Sequence, residues 1–97
     1  FAYSNQAESQ QYSFQFQGVI LKTGSNIPIP GLTVSLVHPV LGRSVPVVSN
    51  QFGQFFFYNI PFRNEPYYIE VYWGSELIFR SILNVQSAMQ QPVVIFL

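Results

Sequence analysis

Hydrophobic and polar residues alternate along short stretches of this chain, and that period is typical of β-strands rather than helices. The clearest case follows the turn residues Asn50 and Gly53, where an aromatic run extends to Tyr58 and is closed by Pro61. Because side chains of a strand point to opposite faces in turn, Phe55 and Phe57 share one face. The opposite face carries Gln54, Phe56 and Tyr58.

The same alternation, bounded by Gly, Pro, Asn and Ser, predicts seven strands at residues 12–21, 32–38, 44–48, 54–59, 67–73, 76–85 and 92–97. Seven short strands with regularly spaced turns favour an all-β fold, a seven-stranded antiparallel Greek-key β-sandwich of the immunoglobulin-like kind. Residues 1–11 are polar and are predicted to form a linker or tail, which leaves 12–97 as one domain. Residues 86–91 are predicted to be a polar connection.

The last predicted strand has no polar face, since residues 93–97 are all apolar. Such a strand is either buried on both sides or meets a partner on its outer side. The pattern alone leaves both alternatives open.

A candidate partner-binding patch follows if the strands 54–59 and 67–73 form a hairpin. Their outer faces then bring together four aromatic side chains, Phe56, Tyr58, Tyr68 and Tyr72. Tyr and Phe are common at protein interfaces, and they also stack on sugar rings. The alternative is an aromatic ladder that only stabilises the sheet, or a contact with an adjoining domain. Parity places Trp73 with the core residues of its strand.

Charge is sparse and balanced, because four Lys and Arg face four Asp and Glu and only 8% of residues are charged. So few cations form no basic patch, which argues against nucleic acid and anionic membranes as partners. The chain as a whole is 48% hydrophobic and has no net charge, which favours association with a neighbouring domain, a protein or a second copy. No apolar run reaches the roughly 20 residues that a membrane-spanning helix needs.

Catalytic constellations are missing from the sequence. The chain has no Cys, no Asp and a single histidine, His38, which excludes cysteine-ligated metals and a Ser-His-Asp arrangement. A lone His at a strand end is typically a surface or half-buried polar residue. The four glutamates are scattered, and no loop holds enough acids for calcium. We therefore predict no catalytic residue, no metal and no cofactor.

Four motifs give the chain a family resemblance. They are Gly18 followed by Val19 and Ile20, the segment from Ile27 to Leu36, the segment from Ser49 to Pro61, and the strand beginning Tyr67-Tyr68-Ile69-Glu70-Val71. In this order and spacing they resemble the carboxypeptidase regulatory-like domain, over roughly residues 16–97. Ser49-Asn50 replaces the Thr-Asp usual in that family.

The resemblance implies a transthyretin-like sandwich that serves as a spacer or interaction module in larger proteins, often secreted, periplasmic or on the cell surface of bacteria. The His and Arg set and C-terminal motif of the transthyretin-like 5-hydroxyisourate hydrolases are missing. A chain that begins at Phe1 and ends within a predicted strand favours a fragment of a larger protein.

Two functions follow as hypotheses. The first is a non-catalytic module that spaces domains or mediates protein interaction or adhesion. The second is a carbohydrate-binding module that uses exposed tyrosines and Trp73 as stacking platforms, with Asn and Gln as hydrogen-bonding groups.

Overall fold

The computed structural model describes residues 13–97, so the predicted tail at 1–11 and the predicted strand residue Tyr12 lie outside the described residues. Within these described residues, eight strands form two sheets that enclose one core, and one short helix precedes the last strand. The elements in chain order are β1 (Ser13–Leu21), β2 (Thr33–His38), β3 (Gly42–Arg43), β4 (Val47–Val48), β5 (Gln54–Pro61), β6 (Tyr68–Trp73), β7 (Glu76–Ile82), α1 (Val85–Gln90) and β8 (Val93–Phe96). The predicted all-β class is confirmed.

The first sheet has the strand order β5-β1-β8. β5 runs antiparallel to β1, whereas β8 runs parallel to β1 and pairs from Gly18 beside Val93 to Leu21 beside Phe96. The prediction of a wholly antiparallel sandwich is therefore wrong at β8. The physical reason is the connection through α1, which carries the chain from the second sheet to the first, and a crossover of this kind permits parallel pairing.

The second sheet has the order β3-β2-β6-β7, and β4 also pairs with β2. The single strand predicted at 44–48 is replaced by two two-residue strands, β3 and β4. Ser44 lies between them and accepts a hydrogen bond from the backbone N–H of Leu36 through its Oγ at 2.8 Å. The backbone N–H of Ser44 also donates to the carbonyl oxygen of Leu36 at 2.8 Å, so the serine hydroxyl takes the place of the carbonyl acceptor only, which a period-2 pattern does not encode.

Side-chain alternation places the core between the sheets, as the pattern predicted for Phe55 and Phe57. The turn before β5 is built by Asn50, whose Oδ1 accepts the N–H groups of Phe52 at 2.9 Å and Gln54 at 3.0 Å. Asn and Asp commonly stabilise turns in this way. Asn50 therefore caps this turn with its own side chain.

Helix α1 occupies most of the stretch 86–91 that was predicted to be a polar connection. It begins at Val85, so the predicted strand 76–85 is wrong at its end, where β7 stops at Ile82. Asn84 caps it by accepting the N–H of Ser87 at 3.0 Å, and Ala88 is its buried residue. This helix has six residues, far too few to cross a membrane, and no other helix occurs within residues 13–97.

Candidate functional site

The four predicted patch residues do not form one surface. β5 pairs with β1 in the first sheet, while β6 pairs with β2 and β7 in the second, so the predicted hairpin between them is wrong. Phe56 and Tyr58 lie on the outer face of the first sheet, and Tyr68 and Tyr72 lie on the outer face of the second. The segment between β5 and β6 crosses from one layer to the other instead of turning back within a sheet.

Tyr68 and Tyr72 flank a buried carboxylate, although their face of the sheet is the outer one. Glu70 is only 6% exposed, because Arg43 Nη1 reaches its Oε1 at 2.7 Å and Arg80 Nε reaches its Oε2 at 3.2 Å. Tyr72 donates its hydroxyl hydrogen to the same Oε1 at 2.7 Å. Glu70 therefore holds the side chains of Arg43, Arg80 and Tyr72 together on the outer face of β6.

The two arginines also cover the tyrosine rings. The guanidinium carbon of Arg80 lies 4.5 Å from the centre of the Tyr68 ring, and that of Arg43 lies 5.7 Å from the Tyr72 ring, within cation–π range. Burial alone would raise the pKa of Glu70, but the hydrogen bonds from Tyr72 and Arg43 and the two positive charges lower the pKa below its ordinary value. These contacts hold both tyrosines in a network within the sheet.

The outer face of the first sheet is different, since β1, β5 and β8 contain no charged residue. Its half nearest the end of β8 is apolar, with Val94 beside Val19 and Phe96 beside Leu21. Val94 is 49% exposed and Phe96 is 51% exposed, while Ile95 between them is buried. We call Val19, Leu21, Val94 and Phe96 the apolar half. The outer side of the last strand is open within residues 13–97, so the alternative of burial on both sides is wrong, while contact with a partner on that side stays a prediction.

The other half of this face combines rings and amides. Phe56 lies beside Gln17, and Tyr58 and Gln15 follow further along the same two strands. We call these four residues the amide–aromatic half. The sequence pattern placed Phe56 and Tyr58 on an outer face, but the proximity of all four residues depends on the β1–β5 pairing, which the pattern did not reveal.

Trp73 is 62% exposed, so its predicted place in the core is wrong. It is the last residue of β6, next to the turn at Gly74, and it follows a register shift between Val71 and Tyr72. Parity therefore fails at the strand end, where the opposite layer no longer covers it. Trp73 stands apart from Phe56 and Tyr58, which belong to the other sheet.

His38 is buried rather than at the surface, with 2% exposure. Its Nδ1 accepts the backbone N–H groups of Val40 at 3.0 Å and Leu41 at 3.1 Å, so the neutral ring carries its proton on Nε2. Nε2 lies 3.2 Å from Oε1 of Glu65, but the approach is poorly aligned, and Nε2 makes no well-formed hydrogen bond to any of the described residues. The His38 ring therefore closes the turn after β2, with Nδ1 hydrogen-bonded to two backbone N–H groups and Nε2 facing a carboxylate.

The stability of the fold is expected to fall as the pH is lowered from 7.5 to 5.5. Burial lowers the pKa of His38, although the charge of Glu65 favours the protonated ring. In the unfolded chain a histidine takes up its proton near pH 6.5, whereas the folded protein does so only at a lower pH. Lowering the pH through about 6.5 therefore reduces the free energy of unfolding. Urea midpoints at the two pH values measure the effect.

A matched control for this prediction is His38→Asn. The Asn oxygen still accepts the two backbone N–H groups but does not titrate. Since His38 is the only histidine, we expect the variant to be less stable at pH 7.5 and to change less between the two pH values. If the natural chain has the same urea midpoint at both pH values, the lowered pKa of His38 in the folded protein is contradicted.

The carboxylates are separated. Glu65 lies near His38 and Arg63, and Glu70 lies in its own network on the second sheet. No group of three His, Cys, Asp or Glu side chains with the geometry of a metal site occurs within residues 13–97.

Comparison of the chain with family models, curated proteins and solved structures found no match. The arguments about function therefore start from the surfaces described above.

Proposed function

We propose that this chain is a non-catalytic β-sandwich module that binds a protein, either a separate partner or a neighbouring domain, through the apolar half of the first sheet. The observation that carries the proposal is the pair Val94 and Phe96, both half-exposed beside Val19 and Leu21 on strands without a charge. The depletion of charge and the presence of exposed aromatic and aliphatic side chains are typical of the centre of a protein interface.

The resemblance to the carboxypeptidase regulatory-like domain supports the same proposal, because domains of that family are non-catalytic spacers or interaction modules in larger proteins. A transthyretin-like Greek-key relationship and a secreted or cell-surface location belong to the proposal on the same ground. Fold alone does not define function, so the proposal depends on the surface and not on the architecture.

The arrangement of titratable groups also supports a binding role. A catalytic base needs a free nitrogen or carboxylate within hydrogen-bond reach of a reacting group. His38 uses Nδ1 as an acceptor for the backbone, and the carboxylate of Glu70 is held by two arginines and a tyrosine. Both groups have structural partners in place of a substrate.

Photo-cross-linking tests the proposal. A benzophenone amino acid introduced at position 96, in the full chain within the cells that produce it, is expected to form one discrete adduct, either with a separate polypeptide or with a segment of a neighbouring domain of the same chain. Mass spectrometry of the cross-linked peptides identifies which of the two is bound. The same probe at position 72, on the second sheet, serves as the control and is expected to capture none. Val94→Ser is expected to reduce the adduct at position 96 about tenfold, because it removes apolar contact at the interface centre.

A second copy of this chain is an acceptable partner in that experiment, and sedimentation of the purified chain identifies this case. Capture from position 72 but not from position 96, or no adduct at either position, contradicts the proposal. Val94 is half-exposed, so the serine variant is expected to keep the urea midpoint of the natural chain and to isolate the effect on binding.

A further inference from the structure

A shallow groove borders the amide–aromatic half at the end of helix α1. Its volume is about 350 Å³. The side chains that matter for its chemistry are Gln15, Gln17, Phe56, Tyr58, Gln90 and Gln91.

The groove exists because β8 is shorter than β1. β8 begins beside Gly18, so Gln15 and Gln17 have no β8 residue beside them, and the chain from Met89 to Pro92 lines that side of the groove instead. On the other side, the pairing of β5 with β1 shifts register between Phe14 and Phe16. Bulges of this kind redirect neighbouring side chains.

The aromatic part of the groove is a platform on one strand. Phe56 and Tyr58 are two residues apart on β5 and therefore stand about 7 Å apart on one face, from the rise of a strand. Tyr58 is half-exposed and Phe56 is partly exposed, so both rings are accessible to a flat apolar surface. Such rings offer a large apolar contact area to a ligand, and Tyr58 adds a polar hydroxyl group at its tip.

The polar part of the groove is made of amides. The side chains of Gln15, Gln17 and Gln90 make no hydrogen bond to any residue of the segment 13–97, and Gln91 makes one long contact of 3.5 Å with Ser87 Oγ. An amide offers two donor hydrogens and an acceptor oxygen at once, which matches a hydroxyl group that both donates and accepts. Among residues 13–97, those that line the groove include no Lys, Arg, Asp or Glu.

The geometry points to a binding site for a neutral oligosaccharide, whose rings stack on Phe56 and Tyr58 while the glutamine amides bond its hydroxyl groups. A ligand with an apolar ring face, many hydroxyls and no charge fits each of these features. Nucleotides and acidic polymers are negatively charged, and the described residues of the groove supply no Lys or Arg to bind them. An apolar peptide is better matched by the apolar half. This site is separate from the proposed protein surface and does not depend on it.

Affinity electrophoresis of the full chain tests the inference, with gels that contain cellulose derivatives without charge, amylose, mannan or, as a charged control, heparin. We expect at least one neutral polymer to retard the chain and heparin to leave it unretarded. Tyr58→Ala is expected to weaken binding about tenfold or more, as for the loss of one aromatic anchor, and Gln17→Ala to weaken it less. Tyr58→Trp is expected to retain binding.

The matched control is Tyr68→Ala on the second sheet, which is expected to bind as the natural chain does. Urea midpoints of all variants verify that they fold. The inference is overturned if no neutral polymer retards the natural chain, if Tyr58→Ala and Tyr68→Ala behave alike, or if heparin is the polymer bound. Phe96→Ser separates the two proposals, because it is expected to leave polymer binding intact while removing part of the proposed protein interface.

Discussion

Replacing Gly53 with alanine is expected to lower the free energy of unfolding by about 3 kcal/mol, from left-handed backbone strain and overpacking together. Gly53 has φ +74°, and a Cβ there lies 2.6 Å from the carbonyl oxygen of Ile20 and 3.2 Å from the nitrogen of Ile29. These backbone groups are not free to move, because Ile29 N–H donates to Ile20 O at 3.0 Å and Ile20 N–H donates to Gly53 O at 2.8 Å. Urea unfolding measures the loss.

Gly24→Ala is the matched control for this variant. Gly24 has φ +88°, but nothing lies within 4 Å of a Cβ at this position. Its substitution therefore carries the backbone strain without the clash, and we expect a loss of about 1 kcal/mol. If the two variants lose the same free energy of unfolding, the close packing of the Gly53 turn against Ile20 of β1 is contradicted.

Gly18→Ala is expected to cost about 1–3 kcal/mol, because it overpacks a filled core. A Cβ at Gly18 falls 2.2 Å from Cζ of Phe55. The ring cannot move outward easily, because Phe55 is fully buried and packs edge-on against Phe57 with ring centres 6.1 Å apart. The glycine in β1 therefore makes room for an aromatic ring of the neighbouring strand.

A double-mutant cycle with Phe55→Leu tests this contact. Phe55→Leu alone is destabilising, because it removes buried surface. In the Gly18→Ala background we expect it to cost less by about 1 kcal/mol, since the smaller side chain accommodates the new methyl group. Strictly additive losses show that the Gly18–Phe55 contact does not limit the packing.

The turn and strand from Asn50 to Pro61 were predictable from the sequence, because the determinants are local. Asn50 caps the turn with its own side chain, and Gly53 has the positive φ that glycine adopts without cost. Alternation then places Phe55 and Phe57 in the core. Each of these features depends on neighbours within a few residues.

Strand pairing was not predictable in the same way, because it joins residues distant in sequence. β5 finds its partner β1 about 40 residues earlier, as with Phe56 beside Gln17, and the sequence neighbour β6 belongs to the other sheet. Pro61 and Pro66 bracket the connection, and prolines there disfavour a tight hairpin. The two prolines were therefore readable evidence against the hairpin, but the predicted pairing was based on hydrophobic alternation alone.

The short helix and the Glu70 network escaped prediction for other reasons. A six-residue helix is too short for a helical period, although Asn84 was a readable N-cap signal. Glu70 lies between Tyr68 and Tyr72 in the alternation of its strand, but its arginine partners come from β3 and β7, which the pattern of one strand does not reveal. The composition of the candidate groove was likewise visible only after β1, β5 and α1 were placed together.

The account depends on β5 lying beside β1 and not beside β6, because this pairing puts Phe56 and Tyr58 on an uncharged face with β8. Inter-strand nuclear Overhauser effects on the labelled full chain measure it directly. We predict backbone contacts between Gln17 and Phe56, and parallel-strand contacts between Gly18 and Val93. Contacts between the backbones of residues 54–61 and 68–73 would contradict the fold and both proposed binding surfaces.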